Sequence, residues 1–202
     1  KIKFICDKNT VGPAWVIEER FVTRISNVTI SGCAITGLLS KGGAILLQNT
    51  SMEMNNMIFS GNVATLGGAI SSIGRKQGND YLIVRNSLFR NNNATNQGGA
   101  IHGLRVPLEL YNCTFERNFA SDSSNGGGNG GAVYINGDVP RSHRVENCAF
   151  DDNAAGFGGA AIHVSQTQTG IIIGRSVFKN NNANGLLGPA ECVTTSTCEV
   201  HG

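Results

Sequence analysis

Residues 89–101 read FRNNNATNQGGAI, and both halves of this stretch recur along the chain. The second half, Gly-Gly-Ala followed by Ile or Val, stands at 42–45, 67–70, 98–101 and 130–133. A variant, Gly158-Gly159-Ala160-Ala161-Ile162, comes next, and Gly188-Pro189-Ala190-Glu191 is a decayed copy. The first half, Phe-x-x-Asn, begins at Phe59, Phe89, Phe115, Phe150 and Phe178 and ends at Asn62, Asn92, Asn118, Asn153 and Asn181. Ile35 and Leu38 take those two places in the first copy. Successive copies are 24, 30, 26, 35 and 28 residues apart. Constant anchors at irregular intervals describe a solenoid, in which core strands are fixed and the loops between them absorb insertions.

The period within each copy excludes helices. No window places apolar residues at i, i+3, i+4 and i+7, whereas Leu108-Glu-Leu110, Cys113-Thr-Phe115 and Val133-Tyr-Ile135 alternate with period two. The expected fold is therefore all-β: a right-handed parallel β-helix of about six coils, with about three short strands per coil. Stacked at roughly 4.8 Å, six coils would span on the order of 29 Å. Aligning the copies gives an inward column Ile35, Phe59, Phe89, Phe115, Phe150, Phe178. Two residues earlier runs a second inward column, Cys33, Met57, Ser87, Cys113, Cys148, Ser176. The Asn column falls at a turn, where asparagine tolerates positive φ and one amide can bond the amide a coil away. The glycine pairs mark a turn too tight for a Cβ.

Composition supports a folded body. Forty per cent of the 202 residues are hydrophobic and 15% charged, and the 27 glycines follow no every-third-residue period. A formal charge of +2, with basic residues spread among acids, offers no stripe for phosphates and speaks against a nucleic-acid partner. No apolar run reaches the roughly 20 residues of a membrane helix, so this segment is not expected to insert into a bilayer. There is no initiating methionine or signal peptide, which suggests a processed or excised piece of a longer chain. The organisation expected is one β-helix over 1–202: a coil or cap at 1–26, the repeats at 28–188, and a C-terminal cap at 189–202.

Six cysteines lack the CxxC pairs of zinc ribbons, leaving disulfides or buried thiols. Cys192 and Cys198 enclose five residues, which suits a local disulfide loop, while Cys113 and Cys148 should lie in adjacent rungs, bridged or simply packed. Cys6 and Cys33 remain by elimination. Four sequons, at Asn27, Asn49, Asn93 and Asn112, suggest glycosylation and an extracellular site.

Gly-Gly-Ala-Ile combined with Phe-x-x-Asn resembles the repeat of the chlamydial-type polymorphic outer-membrane proteins, which also occurs in secreted proteins of algae and other protists. The resemblance covers residues 28 to 188. It implies a right-handed parallel β-helix, a cell-surface or extracellular location, and adhesion or a role in an extracellular assembly with protein or glycan partners. No transporter barrel follows, and the sequons suit a eukaryotic glycoprotein better than a bacterial autotransporter. The shared motifs are structural and carry over no catalytic residue and no cofactor.

Enzyme chemistry has one candidate location. Glu116 and Asp151 would lie one coil apart on the outer face, near the roughly 5 Å separation of retaining glycosidases, with Arg117 and Asp152 beside them. A carbohydrate-active β-helix using that face is the alternative reading. The outward order Arg90, Glu116, Asp151, Lys179 instead reads as alternating ion pairs that stack the coils, and Arg117 can face Asp152. Calcium at Asp151 and Asp152 would lack its further oxygens. His102 and His163, with Tyr134 between them, should share an exposed outward face, nearly 10 Å apart and too distant to hold one metal ion. The expected protein is thus a non-catalytic structural or adhesive module with no metal.

Overall fold

The computed structural model describes residues 2–6, 12–18, 23–75, 78–121, 127–165, 169–184, 192–194 and 198–201; for Ile2 and for residues beyond 184 the description is of the backbone alone. The described residues contain no helix, and their short strands stack into four parallel sheets, making a β-helix of about six coils.

One coil shows the plan. Met52–Asn55 lies in a sheet we call the arginine sheet, Ile58–Ser60 in the phenylalanine sheet, Val63–Leu66 in the alanine sheet and Ile70–Ile73 in the histidine sheet. The next coil repeats this order with Leu82–Arg85, Leu88–Arg90, Asn93–Gln97 and Ile101–Leu104, paired residue for residue with the coil before except for one shift between Ala94 and Gln97. The alanine sheet has five strands and the other three have seven. Ile2–Ile5, Trp15–Glu18 and Thr23–Ser26 are the first strands of the phenylalanine, histidine and arginine sheets, so the N-terminal segment stacks as a coil.

A coil thus carries four strands where three were expected, because the Phe-x-x-Asn segment bends in its middle. The residue before each asparagine is left-handed: Gly61 (φ 64°), Asn91 (53°), Arg117 (51°), Asp152 (56°) and Asn180 (54°). Positive φ therefore belongs to the neighbour and not to the recurring asparagine, which points inward. A second left-handed corner, between the arginine and phenylalanine sheets, is held mostly by asparagine, at Asn27, Asn56, Asn86, Asn112 and Asn147.

The first copy is registered differently from the sequence alignment. Ile30, not Ile35, pairs with Phe59, and Cys33 occupies the asparagine position, its N–H bonded to Asn62 Oδ1 at 3.1 Å over a separation of 29 residues. Val28, not Cys33, therefore stands in the column that continues at Met57. Leu38, assigned to the asparagine place, lies on a turn with 96% of its surface exposed. Without a phenylalanine in that coil, the alignment slid by five residues into the loop.

Two ladders fill the interior. Phe59, Phe89, Phe115, Phe150 and Phe178 stack nearly parallel, with centroids 4.9, 4.7, 4.7 and 4.9 Å apart. Beside them Asn62, Asn92, Asn118 and Asn153, all fully buried, each donate from Nδ2 to the Oδ1 of the next asparagine at 2.9 to 3.0 Å. The same oxygen accepts the backbone N–H of the preceding rung, and the second Nδ2 hydrogen reaches a carbonyl such as Phe89 O, 3.0 Å from Asn118. The amide's main hydrogen-bonding groups are thereby satisfied away from water. The Gly-Gly corner is required by close stacking: a Cβ on Gly99 would overlap the Gly131 carbonyl and the Phe119 backbone.

Candidate functional surface

With the interior closed, any function must lie on the outer faces or loops. On the phenylalanine sheet Glu116 pairs directly with Asp151 in register, in a shallow depression of about 380 Å³ shared with Arg117, Asp152 and Asn180. Arg117 Nε lies 3.5 Å from Asp152 Oδ2, and Asn180 Nδ2 donates to Asp151 Oδ1 at 3.1 Å. The expected alternation along the outer column is not formed. Arg90 donates back to Ser60 Oγ at 3.3 Å instead of pairing with Glu116, and Asp151 is held by Asn180 and not by Lys179. An exposed ion pair is worth so little that a neighbouring hydroxyl or amide competes with it. Arg117 and Asp152 are themselves about two-thirds exposed, at 68% and 64%.

His102, Tyr134 and His163 form a third stack, with centroids 5.7 and 5.3 Å apart, but they are buried and not exposed. Four residues before each lies a corner glycine, and a Cβ there would meet the strand at His102 N, Tyr134 Cα or His163 Cβ, so the corner packs closely against this strand. Ser71 Oγ lies 3.2 Å from His102 Nδ1, and Tyr134 bonds Asn136 and Gln97. Burial pushes both histidines down to about 4. His143 was not singled out from the sequence. It stands inward in the arginine sheet, fully buried, accepting the Leu108 N–H at 3.2 Å, and burial likewise pushes it to about 4. Its place was readable, because Met52, Leu82, Leu108 and His143 each lie five residues before the second inward column.

The face that sequence reading missed is the outer side of the arginine sheet. Arg24 grips Glu53 through two bonds of 2.9 and 3.3 Å, and Tyr81 OH reaches the same carboxylate at 3.4 Å. Arg141 covers the Tyr81 ring at 5.3 Å and pairs with Glu109 at 3.1 Å, which also accepts from Tyr111 OH at 2.9 Å. Arg85 lies 5.0 Å over the Tyr111 ring. Further along, Glu146 takes Arg144 at 3.0 Å and Arg175 at 3.7 Å. Hydrogen bonding by Arg24 holds the Glu53 carboxyl below its ordinary range. These residues belong to no recurring motif, so only their shared outward position along the stacked strands brings them together.

Asn27, Asn49 and Asn112 are exposed at left-handed corners, while Asn93 is half-buried, with an Oδ1 that has no partner among the described residues. Asn112 also donates to Asn86 Oδ1 at 3.1 Å. Cys6 and Cys33 form a disulfide that takes over from the asparagine ladder at its N-terminal end. Cys113 and Cys148 are free buried thiols, the Cys113 N–H lying 3.4 Å from Cys148 Sγ. The side chains of Cys192 and Cys198 lie outside the described residues. Among the described residues no three His, Cys, Asp or Glu side chains gather as a metal site, and no helix is long and apolar enough to cross a membrane.

The family model of the Chlamydia polymorphic membrane protein repeat matches residues 56–73 and 86–104. Among curated proteins, a probable autotransporter, YfaL, of Escherichia coli (strain K12) is 35% identical over 162 residues, 75% of this chain and 13% of its own length. Metabotropic glutamate receptor-like protein R of Dictyostelium discoideum is 29% identical over 192 residues, 82% of this chain and 12% of its own. The chain thus spans about an eighth of the length of these relatives. No solved structure is a significant match. Each matched stretch runs from a left-handed asparagine corner through three of the coil's four strands. Residues 56–73 and 86–104 therefore match the Chlamydia polymorphic membrane protein repeat, and the structure lays the two matched stretches down as successive coils of a parallel β-helix.

Proposed function

We propose that this chain is a non-catalytic, adhesive β-helix segment displayed at a cell surface. The observation that carries this reading is the state of its outward acids. Asp151 is bonded to Asn180, Asp152 to Arg117, and Glu53, Glu109 and Glu146 to arginines or tyrosines, so these five acids are tied down along the stack, and Glu116, beside Asp151, opens onto a shallow depression and not a cleft. Names of similar proteins, a polymorphic membrane protein and a probable autotransporter, support surface display. A rigid rod with long regular faces suits repeated, shallow contacts better than a deep substrate cleft.

Two measurements test the reading together. Beads coated with the folded protein should adhere to cells more than beads coated with an unrelated protein of equal charge, and adhesion should be lost after the coat is unfolded. Incubation with neutral and acidic polysaccharides should release no new reducing ends. Release abolished by Glu116→Gln or Asp151→Asn would overturn the non-catalytic assignment, and absence of bead adhesion would overturn the adhesive one.

A further inference from the structure

We infer that the arginine sheet's outer face binds a linear acidic polysaccharide, carboxylated or sulfated, lying along the helix axis. This rests on the adhesive reading and names its ligand class. Five of the chain's ten arginines, Arg24, Arg85, Arg141, Arg144 and Arg175, are on this face or its corner. They outnumber the three glutamates whose side chains are described there, each already engaged by an arginine, together with Glu199, in register with Ile172 on the last strand, leaving an excess of one positive charge. The guanidinium groups are held before any ligand arrives: Arg24 by a two-point grip, Arg141 by a ring and a carboxylate, Arg85 by the Tyr111 ring. Side chains already ordered lose less entropy on binding. Planar guanidinium groups also suit carboxylate and sulfate oxygens, which accept two parallel N–H bonds.

The geometry favours a polymer. Arg24 sits on the first strand of this sheet and Arg175 just past the sixth, so the charges extend over five coil steps, roughly 24 Å at about 4.8 Å per step. At the N-terminal end Arg24, Arg85, Ser26, Asn55 and Glu53, with Ile25 and Met54, surround a depression of about 410 Å³, large enough for one sugar unit and offering it both hydrogen-bonding and apolar groups. A protein partner fits less well. Most protein interfaces have an apolar centre, yet the large exposed apolar side chains, among them Leu38, Phe119 and Val177, lie on the other faces or on loops. A hydrated polyanion needs no such centre.

The test is binding of the folded protein to immobilised dextran sulfate and polygalacturonate, with neutral dextran and single-stranded DNA in parallel, at physiological salt. Arg85→Gln with Arg144→Gln is compared with Arg90→Gln with Arg117→Gln, which removes the same charge from the phenylalanine sheet. The expected result is retention on at least one acidic polysaccharide, weakened about tenfold by the first pair and less than about twofold by the second. Equal weakening by both pairs, no retention on either acidic polysaccharide, or stronger retention on DNA would overturn the inference. If the first pair does not fold, as judged by its thermal transition, single Arg85→Gln and Arg144→Gln variants take its place. Bead adhesion to cells is measured alongside: adhesion without polysaccharide binding removes this inference and leaves the adhesive function, whereas loss of both removes each.

Discussion

Asn118→Ala removes the centre of the asparagine ladder. Its Oδ1 accepts two hydrogen bonds from Asn92, from the backbone N–H at 3.1 Å and from Nδ2 at 3.0 Å, and both donors are buried. A stranded buried donor costs about 1–3 kcal/mol, so these two alone give about 2–6 kcal/mol. Phe89 O also loses a donor, and Asn153 Oδ1 loses one of its two, keeping the Asn118 N–H at 3.0 Å. A loss of about 4 kcal/mol is expected. Asn181→Ala strands an equivalent pair of Asn153 donors, but Asn181 is not buried, so water can replace its oxygen and the loss should stay below about 2 kcal/mol. Urea unfolding followed by backbone circular dichroism gives both values, and amide exchange at the neighbouring rungs shows whether the damage spreads. An Asn118→Ala variant within about 1 kcal/mol of the parent, or one no worse than Asn181→Ala, would mean that the ladder does not hold the coils together.

Three further perturbations probe other parts of the stack. His143 is pushed to about 4 in the folded chain against roughly 6.5 unfolded, so the unfolded state binds more protons between those values and stability falls as pH drops through that window. The loss attributable to His143 is about 2 kcal/mol at pH near 5; urea titrations at neutral pH and at that pH should show His143→Leu less acid-sensitive by that amount, and equal sensitivity would count against a neutral buried imidazole. Gly99→Ala drives a Cβ into the Gly131 carbonyl and should abolish cooperative folding, whereas Gly61→Ala, at φ 64° with open space around it, should cost only about 1–2 kcal/mol in a thermal or urea melt. Removing the Cys6–Cys33 bond by Cys33→Ser frees a loop of 27 residues, worth about 3.5 kcal/mol in chain entropy, and limited proteolysis should then cut the N-terminal coil before the central ones.

Much of the architecture was legible because the repeated residues are those whose neighbours are copies of themselves. Phe115 stacks on Phe89 and Phe150, and Asn118 bonds Asn92 and Asn153, so a preference at one rung is written again at the next. The alignment failed where that redundancy lapsed: the first coil has Ile30 in place of phenylalanine and Cys33 in place of asparagine, and nothing local marks the true register. The outward ion pairs were misread for a related reason. Period two assigns a side chain to a face but not to a partner, and Arg90 has Ser60 on one side and Glu116 on the other.

The sequence by itself determined the parallel β-helix, its Phe and Asn columns and the need for paired glycines, since period, recurrence and backbone conformation are properties of the local chain. Only the tertiary structure decided which outward side chains are buried and which form a surface. His102, Tyr134 and His163 are buried on the strands that follow the Gly-Gly corner, and stacking brings Arg24, Glu53, Tyr81, Arg141 and Glu109 into one network from strands far apart in the chain. Exposure and partnership depend on what the neighbouring coil places overhead, and those distances do not exist until the coils have stacked.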